Sequence, residues 1–149
     1  MNKETHNGHT SVAERLSVLS QSSAHQVKAL AESLLDDLGM IEVLENRTGL
    51  VMLPYTDSVQ GITFNLGEVL IAEASVRLKD HDGVEGYGSC LGRDHVQALA
   101  LALCDAALRA GIRADTITAF ADARALELIA ADQELLRQVE TTRVNMETF

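Results

Sequence analysis

The alternation of side chains between residues 70 and 78 limits the possible folds more than any other feature of the sequence. One side of this segment is entirely apolar, with Leu70, Ala72, Ala74, Val76 and Leu78. The other side turns polar after Ile71. Successive side chains of a β strand point to opposite faces, and one apolar face is typical of an antiparallel sheet that is open to water on the other. The chain is therefore expected to contain such a sheet.

Neighbouring segments predict the rest of the sheet. Residues 79–83 form a turn cluster, and residues 84–91 are predicted to return as the second strand of a hairpin. Two further β-rich runs, at 40–44 and 50–55, are separated by a polar stretch, and Pro54 indicates that the second run ends there or lies at an edge. We therefore expect a mainly antiparallel sheet of about four to five strands.

Two glycine-containing segments have two interpretations each. Gly86 and Gly88 lie on one face of the returning strand, so either another part of the molecule approaches the backbone closely or the strand is twisted or bulged. The segment Asn65-Leu66-Gly67-Glu68 is interpreted as a rigid turn in which Gly67 adopts a backbone angle closed to other residues. Asn65 and Glu68 would then project toward a partner or a shared ligand. Alternatively, Asn65 hydrogen-bonds its own turn and Glu68 is merely solvated.

Helices are predicted both before and after the strands in chain order. Ser11 and Glu14 have capping-box spacing before a short first helix. A second helix is predicted from about Ala24 to Leu38, ended by Gly39, and its apolar stripe is Val27, Leu30, Ala31, Leu34, Leu35 and Leu38.

The two helices after the sheet differ in character. Asp94 is expected to cap the third, which is apolar throughout 98–104 and so must lie centrally in the domain or under a partner protein. Gly111 would end it. The last helix should run from near Asp115 to at least Glu140, with the stripe Ile117, Ala121, Ala125, Leu128, Leu135 and Val139. The predicted class is α+β, with N-terminal helices, the sheet and two C-terminal helices in a single domain of residues 1–149, of which 1–10 form a loose tail.

Composition excludes several classes of function. The chain has 22 acidic and 12 basic residues and a net charge of −10, which disfavours binding to nucleic acid or to an anionic membrane. It contains no apolar run of about 18 residues, so no membrane span is expected. Cys90 and Cys104 lie in apolar surroundings and are predicted to be reduced core residues, which points to the cytoplasm.

The sequence carries no complete catalytic motif. His81, between two aspartates, could bind a metal ion, but the sequence favours a solvated turn. Residues 86–94 lead from a strand to a helix start, where Arg93 could bond a phosphate although the carboxylate of Asp94 would repel it. Neither a G-x-S-x-G elbow nor a nucleotide-binding glycine loop is present. These observations favour an interaction subunit over a free-standing enzyme.

Several blocks, in order and spacing, resemble one family over roughly residues 12–144. They are RTGLVM at 47–52, FNLGEVL at 64–70, EASVRL at 73–78, GYG at 86–88, LGRD at 91–94, DA at 105–106 and TRV at 142–144. The family is PhnG, a small subunit of the carbon–phosphorus lyase core complex of bacterial phosphonate metabolism. The chain departs from the family at two places. Its first helix lacks a tryptophan, and residues 145–149 differ from the usual C-terminal residues of the family, so the family's contacts at that tail are not carried over to this chain.

The resemblance implies a function for the assembly rather than for the chain alone. The complex transfers a phosphonate, such as methylphosphonate, to C1′ of the ATP ribose and releases adenine, giving α-D-ribose 1-methylphosphonate 5-triphosphate. The small subunit would pack chiefly on a larger, nucleosidase-like subunit. It would bind no metal or cofactor of its own, although the complex uses ATP. It would carry no catalytic residue.

Polar positions within the matching blocks are the candidates for interface or ligand contacts: Arg47, Asn65, Glu68, Arg77, Arg93 and Arg143. The alternative to a complex subunit is a stand-alone, homo-oligomeric anion- or nucleotide-binding domain that uses residues 86–94. An independent hydrolase is the least supported option, because no nucleophile and base are recognisable as a pair.

Overall fold

The computed structural model describes residues 11–143, so the expectations for residues 1–10 and 145–149 lie outside the described residues. Four helices flank a three-stranded sheet in this part of the chain. In order, the elements are α1 (Val12–Gln21), α2 (Ala24–Leu38), β1 (Ile41–Thr56), β2 (Thr63–Leu78), β3 (Val84–Leu91), α3 (His95–Ala110) and α4 (Ala114–Thr141). The predicted α+β class and the placement of helices on both sides of the sheet in the sequence are confirmed.

The N-terminal helices begin and end close to the predicted residues. The capping box at α1 is complete, since Ser11 Oγ accepts the N–H of Glu14 at 3.2 Å and the Glu14 carboxylate accepts the N–H of Ser11 at 2.6 Å. Gly39 follows α2 with φ 66° and ψ −140°, so its φ is positive but its ψ is not that of the left-handed helix. Leu35 is the one member of the predicted α2 stripe that remains exposed.

The sheet has the order β1-β2-β3 with antiparallel pairs throughout, and within residues 11–143 it has three strands rather than four or five. The two β-rich runs predicted as separate strands are one strand, because the polar stretch between them pairs with β2, with Arg47 opposite Glu73. β1 is an edge strand, as the position of Pro54 indicates, but it continues past the proline to Thr56.

The turn predicted at residues 65–68 is wrong, because these residues lie inside β2. Leu53 is opposite Gly67 and Pro54 is opposite Asn65, so Leu66 is an extra residue that forms a bulge. Gly67 has φ 158°, a positive angle that residues with a side chain rarely adopt, as predicted, but it lies in an extended strand and not in a turn. A bulge next to a proline accommodates the missing N–H without interrupting the strand.

Helix α3 lies directly against the backbone of β3. A Cβ atom added to Gly86 would lie 2.3 Å from the carbonyl oxygen of Ala102, and one added to Gly88 would lie 2.4 Å from the nitrogen of the same residue. The close-approach interpretation of the two glycines is therefore correct. The buried residues of α3 are Ala98, Ala100, Leu101, Ala102, Leu103, Cys104, Asp105, Ala106 and Ala107, which confirms its central position.

Helix α4 starts and ends as predicted, but its apolar stripe is buried only in the first half. Ile117 and Ala121 are buried, whereas Leu135 and Val139 are 60% and 58% exposed. Every residue from 131 to 143 is exposed. The first half of α4 packs on the domain, and the second half projects from it.

Candidate functional site

The most distinctive surface is the outer half of the β1–β2 hairpin. β3 pairs with β2 only from Ile71 to Leu78. Residues 50–56 of β1 and 63–70 of β2 therefore form a two-stranded ribbon that extends past the third strand, and Gly49, opposite Ile71, lies at its base. We call residues 49–70 the arm. Within the described residues, neither strand of the arm has a second neighbouring strand.

The arm is rich in exposed apolar side chains. Nine large ones are between 42% and 88% exposed: Leu50, Val51, Met52, Leu53, Tyr55, Val59, Ile62, Phe64 and Leu66. Single exposed apolar residues are normal on a protein surface, but a contiguous group of this kind marks an interaction site. The continuous apolar run at 50–53, which does not alternate, was the sequence signal for this surface.

Despite its exposure, the arm is a formed hairpin. At the tip, the Asp57 carboxylate accepts the N–H groups of Val59 at 3.1 Å and Gln60 at 3.0 Å. The rings of Tyr55 and Phe64 meet edge to face with centroids 5.6 Å apart. These contacts hold the apolar side chains in a defined arrangement.

At the base of the arm, the open face of the sheet carries a polar cluster. Arg47 contacts Glu73 at 2.6 Å and Glu45 at 2.8 Å, and the hydroxyl of Tyr87 donates to Glu73 at 2.9 Å. Hydrogen bonds from Arg47 and then Tyr87 lower the pKa of Glu73, and the bond to Glu73 raises the pKa of Arg47. Burial, followed by the bond to Glu73, raises the pKa of Tyr87. A carboxylate whose ionised form is stabilised by two hydrogen-bond donors is a poor general base. The role that remains for this cluster is structural, because it joins side chains from all three strands on the open face of the sheet.

Arg77 lies in a separate cross-strand network at the other end of the sheet. Its guanidinium contacts Glu85 on β3 at 2.6 Å and Glu42 on β1 at 3.3 Å. The hydrogen bond to Glu85 is the main reason that the pKa of Arg77 is raised. Both of its carboxylate partners are on this chain, which gives Arg77 a role in joining the three strands.

The structure does not bring the remaining candidates together. Asn65 and Glu68 are exposed on the arm. Arg93 is exposed in the loop before α3. Arg143 follows α4 and contacts Glu140 at 3.3 Å. The six sequence-predicted positions thus fall at the arm, two sheet networks, the start of α3 and the end of α4, and do not surround one ligand.

The start of α3 is unsuited to an anion. The Asp94 carboxylate accepts the N–H of Gln97 at 2.9 Å and contacts the Lys28 ammonium at 2.6 Å. The contact with Lys28 is the main reason that the pKa of Asp94 is lowered, and the capping bond adds to it. A negative charge therefore already occupies the position that a phosphate would take.

Other reactive side chains do not form a catalytic arrangement in the described part of the chain. The pKa of Cys90 is raised mainly by burial, so its thiol is not an activated nucleophile. His95 Nδ1 lies 3.2 Å from the Asn46 amide oxygen. His81 lies in the turn after β2, and within residues 11–143 no three His, Cys, Asp or Glu side chains are grouped to hold a metal ion.

Among the described helices, none is both long and apolar enough to span a bilayer.

One buried carboxylate was not identified by sequence reasoning. Asp105 is 1% exposed and accepts the backbone N–H of Tyr87 at 2.9 Å and the Nε–H of Arg109 at 2.9 Å. It therefore fastens β3 to α3 where the adjacent glycines bring the two elements together. The signal was a lone acidic residue directly after the apolar run 98–104.

Comparison with known proteins adds independent information. Residues 12–149 match the model of a family described as phosphonate metabolism protein PhnG. The alpha-D-ribose 1-methylphosphonate 5-triphosphate synthase subunit PhnG of Rhizobium meliloti (strain 1021) is 28% identical over 136 residues, which cover 91% of this chain and 86% of that protein. The putative C-P lyase subunit protein HtxH of Stutzerimonas stutzeri is 30% identical over 108 residues, which cover 66% of this chain and 29% of HtxH.

Proposed function

Because this chain belongs to the PhnG family of phosphonate metabolism proteins, we propose that it is a subunit of a carbon–phosphorus lyase core complex. The family match over residues 12–149 is the observation that carries the proposal. Two relatives support it, one named as a subunit of alpha-D-ribose 1-methylphosphonate 5-triphosphate synthase and the other as a putative C-P lyase subunit. The complex would transfer a phosphonate, such as methylphosphonate, to C1′ of the ATP ribose with release of adenine.

Within that complex, the chain acts as a structural or co-catalytic subunit. The carboxylate of Glu73 is paired with Arg47 and accepts a hydrogen bond from the Tyr87 hydroxyl, and that of Asp94 is paired with Lys28, so neither is free to act as a base. The larger nucleosidase-like subunit would carry the substitution at C1′ and would bind ATP. The present chain would contribute surface and order to that site, and would bind no metal or cofactor itself.

Reconstitution of the complex tests this proposal. Purified core subunits are incubated with ATP and methylphosphonate, with and without this chain, and released adenine is measured by chromatography. We expect adenine release to fall at least tenfold when the chain is left out and to return when it is added back. A reaction without methylphosphonate is the control. Full activity without the chain would contradict the proposal.

The stand-alone anion-binding alternative makes the opposite prediction for the isolated chain. The arrangement of Asp94 and Lys28 at the start of α3 does not favour it. Calorimetric titration of the isolated chain with ATP and with methylphosphonate separates the two functions. We expect negligible heat of binding, and micromolar binding of either compound would favour the alternative.

A further inference from the structure

The two faces of the arm are both apolar and both exposed. Along β1, Leu50 and Met52 point to one face, whereas Val51 and Leu53 point to the other, because side chains alternate along a strand. All four are exposed. A flat partner surface would bury only one face of the ribbon. Burial of both faces therefore requires a partner that contacts the ribbon from two sides.

The two edges of the arm are also open. In the described part of the chain, β1 is an edge strand of the sheet, and β2 residues 63–69 have β1 on one side only, because β3 pairing begins at Ile71 and Gly92 N–H donates to the carbonyl oxygen of Leu70. Open edges present unpaired backbone N–H and C=O groups, which another chain can extend by strand addition. An isolated two-stranded hairpin is marginally stable in water, so the ribbon gains most from a partner that contacts faces and edges together.

The exposed surface is large enough for a stable interface. If each of the nine exposed side chains presents roughly half of ~150 Å², the low end of the range for a large side chain, the arm offers on the order of 700 Å² of apolar surface. The largest apolar patch on a typical monomer is about 300–600 Å². A standard protein–protein interface buries about 800 Å² on each partner.

The negative charge of the chain favours a different protein over a second copy of this chain as the partner that contacts the arm. Asp57 and Glu68 are the only charged residues between 49 and 70, and the whole chain carries −10. A second copy would bring like charges together, both at the arm and over the whole molecule. A partner with an apolar groove and a basic rim matches both the side chains and the charge.

We infer that the arm inserts into a groove of a different subunit of the same complex, one whose apolar walls contact both faces of the ribbon and whose rim carries Lys or Arg near Glu68. This inference rests on the proposed function and adds the surface and the kind of partner to it. Asn65 and Glu68, singled out in the sequence, lie on this inserted segment. No docking role is assigned to the second half of α4, which therefore supplies the control position.

Co-purification of the complex tests the inference. The full chain, carrying an affinity tag, is co-expressed with the remaining core subunits as wild type, Met52→Glu, Leu53→Glu or the control Leu136→Glu. Leu136, on α4, is 67% exposed and matches the arm residues in chemistry. We expect both arm variants to recover at least tenfold less of the other subunits, while the control recovers wild-type amounts. Circular dichroism of each isolated variant checks that it is folded.

Three further measurements make the outcome decisive. Hydrogen exchange of the wild-type complex should show slowed exchange at residues 49–70 relative to the free chain, with β3 unchanged, and this result does not depend on any variant folding. Glu68→Lys should weaken assembly most at low salt, because screening reduces charge effects at high salt. Sedimentation of the isolated chain should give a monomer.

Several results would overturn the inference. Arm variants that assemble normally, or unchanged exchange in the arm, would each exclude the arm as the docking element. Equal losses with Leu136→Glu would show that the losses are not specific to the arm and would contradict the inference as stated. A wild-type dimer that Leu53→Glu converts to a monomer would identify a second copy as the occupant. If the wild-type chain itself recovers no other subunit, the proposed function is wrong and the inference falls with it.

Discussion

At two positions of β3, the absence of a side chain sets the distance between the sheet and α3. Gly86 and Gly88 face the backbone of α3, and a Cβ atom at either position would overlap main-chain atoms of Ala102. Main-chain atoms cannot rotate away as a flexible side chain can, so the whole helix would have to move. The buried carboxylate of Asp105 then fixes the same contact by accepting the N–H of Tyr87.

Gly88→Ala should therefore destabilise the fold by about 2 kcal/mol or more, since overpacking a close contact typically costs about 1–3 kcal/mol. Gly49→Ala is the matched control, because it lies in β1 with nothing within 4 Å of the added Cβ. We expect the control to change the free energy of unfolding by less than about 0.5 kcal/mol. Urea unfolding followed by circular dichroism measures both. Equal effects of the two substitutions would show that the helix contact does not set the cost.

Asp94 combines a helix cap with an ion pair to Lys28, and two substitutions separate these roles. Asp94→Ala removes both and should cost about 1 kcal/mol for the cap alone. Asp94→Asn retains a good capping residue but removes the charge. Unfolding at pH 7 compares the two, and we expect the Asn variant to lose less stability than the Ala variant.

The acid dependence of stability gives a second test of Asp94. Its pKa in the folded protein lies below the ordinary value of 3.8, so folding favours the ionised form. The stabilisation from this group is complete above the unfolded-state value and is lost as the pH falls through the lower folded-state value. Between pH 6 and pH 3, the wild type should lose more stability than Asp94→Asn. Parallel acid profiles would mean that the Lys28 pair contributes nothing.

Among the elements, α4 shows how one apolar stripe can meet two environments. Ile117 and Leu135 belong to the same predicted stripe, yet Ile117 is fully buried and Leu135 is largely exposed. Periodicity indicates which face of a helix is apolar, but not how far along the helix a neighbour extends. The sequence therefore predicted the length of α4 and could not predict where its packing ends.

Paired substitutions test this division of α4. Ile117→Ala should lower the free energy of unfolding by about 2–4 kcal/mol, because it leaves a cavity in the core. Leu135→Ala should change it by less than about 0.5 kcal/mol, because the side chain already contacts water. Thermal and urea unfolding of the isolated chain measure both. A large loss from Leu135→Ala would place the second half of α4 against the domain.

The sheet was predictable where a strand is buried on one face and not where it is exposed on both. The alternation at 70–78 lies within β2 and ends with it at Leu78, and the returning strand at 84–91 matches β3, because burial on one face imposes a two-residue period. The arm has no such period. The sequence predicts a break between two strands at polar residues 45–49 and a turn at Gly67, and both predictions are wrong. Cross-strand pairing and the bulge at Leu66 depend on the register between strands, which local sequence does not specify.

The candidate site was predictable only in part for the same reason. Asn65 and Glu68 are predicted to project toward a partner or shared ligand; the structure places both on the exposed arm, and their contact with a partner or ligand stays a prediction. Arg47 and Arg77 were grouped with them, but their ion pairs are made within the chain, with Glu73 and with Glu85. A sequence shows that an arginine is present, but not which carboxylate the fold places beside it.

At the scale of the whole molecule, the rates at which the two buried thiols are alkylated show how often the structure opens. Cys104 is fully buried, and burial raises its pKa to about 12, while Cys90 is nearly buried and its pKa is also raised. The thiolate is the reactive form, so both should resist alkylation by iodoacetamide at pH 8 in the native protein. In denaturing urea both should react at the rate of a free cysteine. Mass spectrometry counts the modified thiols.

The comparison between the two cysteines sharpens this test. Cys104 lies in the central helix and should be modified only through global opening, whereas Cys90, at the end of β3, should also react through local opening. The modification rate of Cys104 should therefore follow the free energy of unfolding in Gly88→Ala and Ile117→Ala. Rapid native modification of Cys104 would contradict the core described above.

The open ribbon at residues 49–70 also bears on how a cell keeps subunit numbers in balance. Proteases bind substrates as extended backbone, and a hairpin tip that lacks cover is a preferred site of nicking. We expect limited digestion of the lone chain to cut first between 49 and 70, and the assembled chain to survive the same treatment. Surplus copies would then be removed soon after synthesis, so that the supply of partners sets how much of this polypeptide persists.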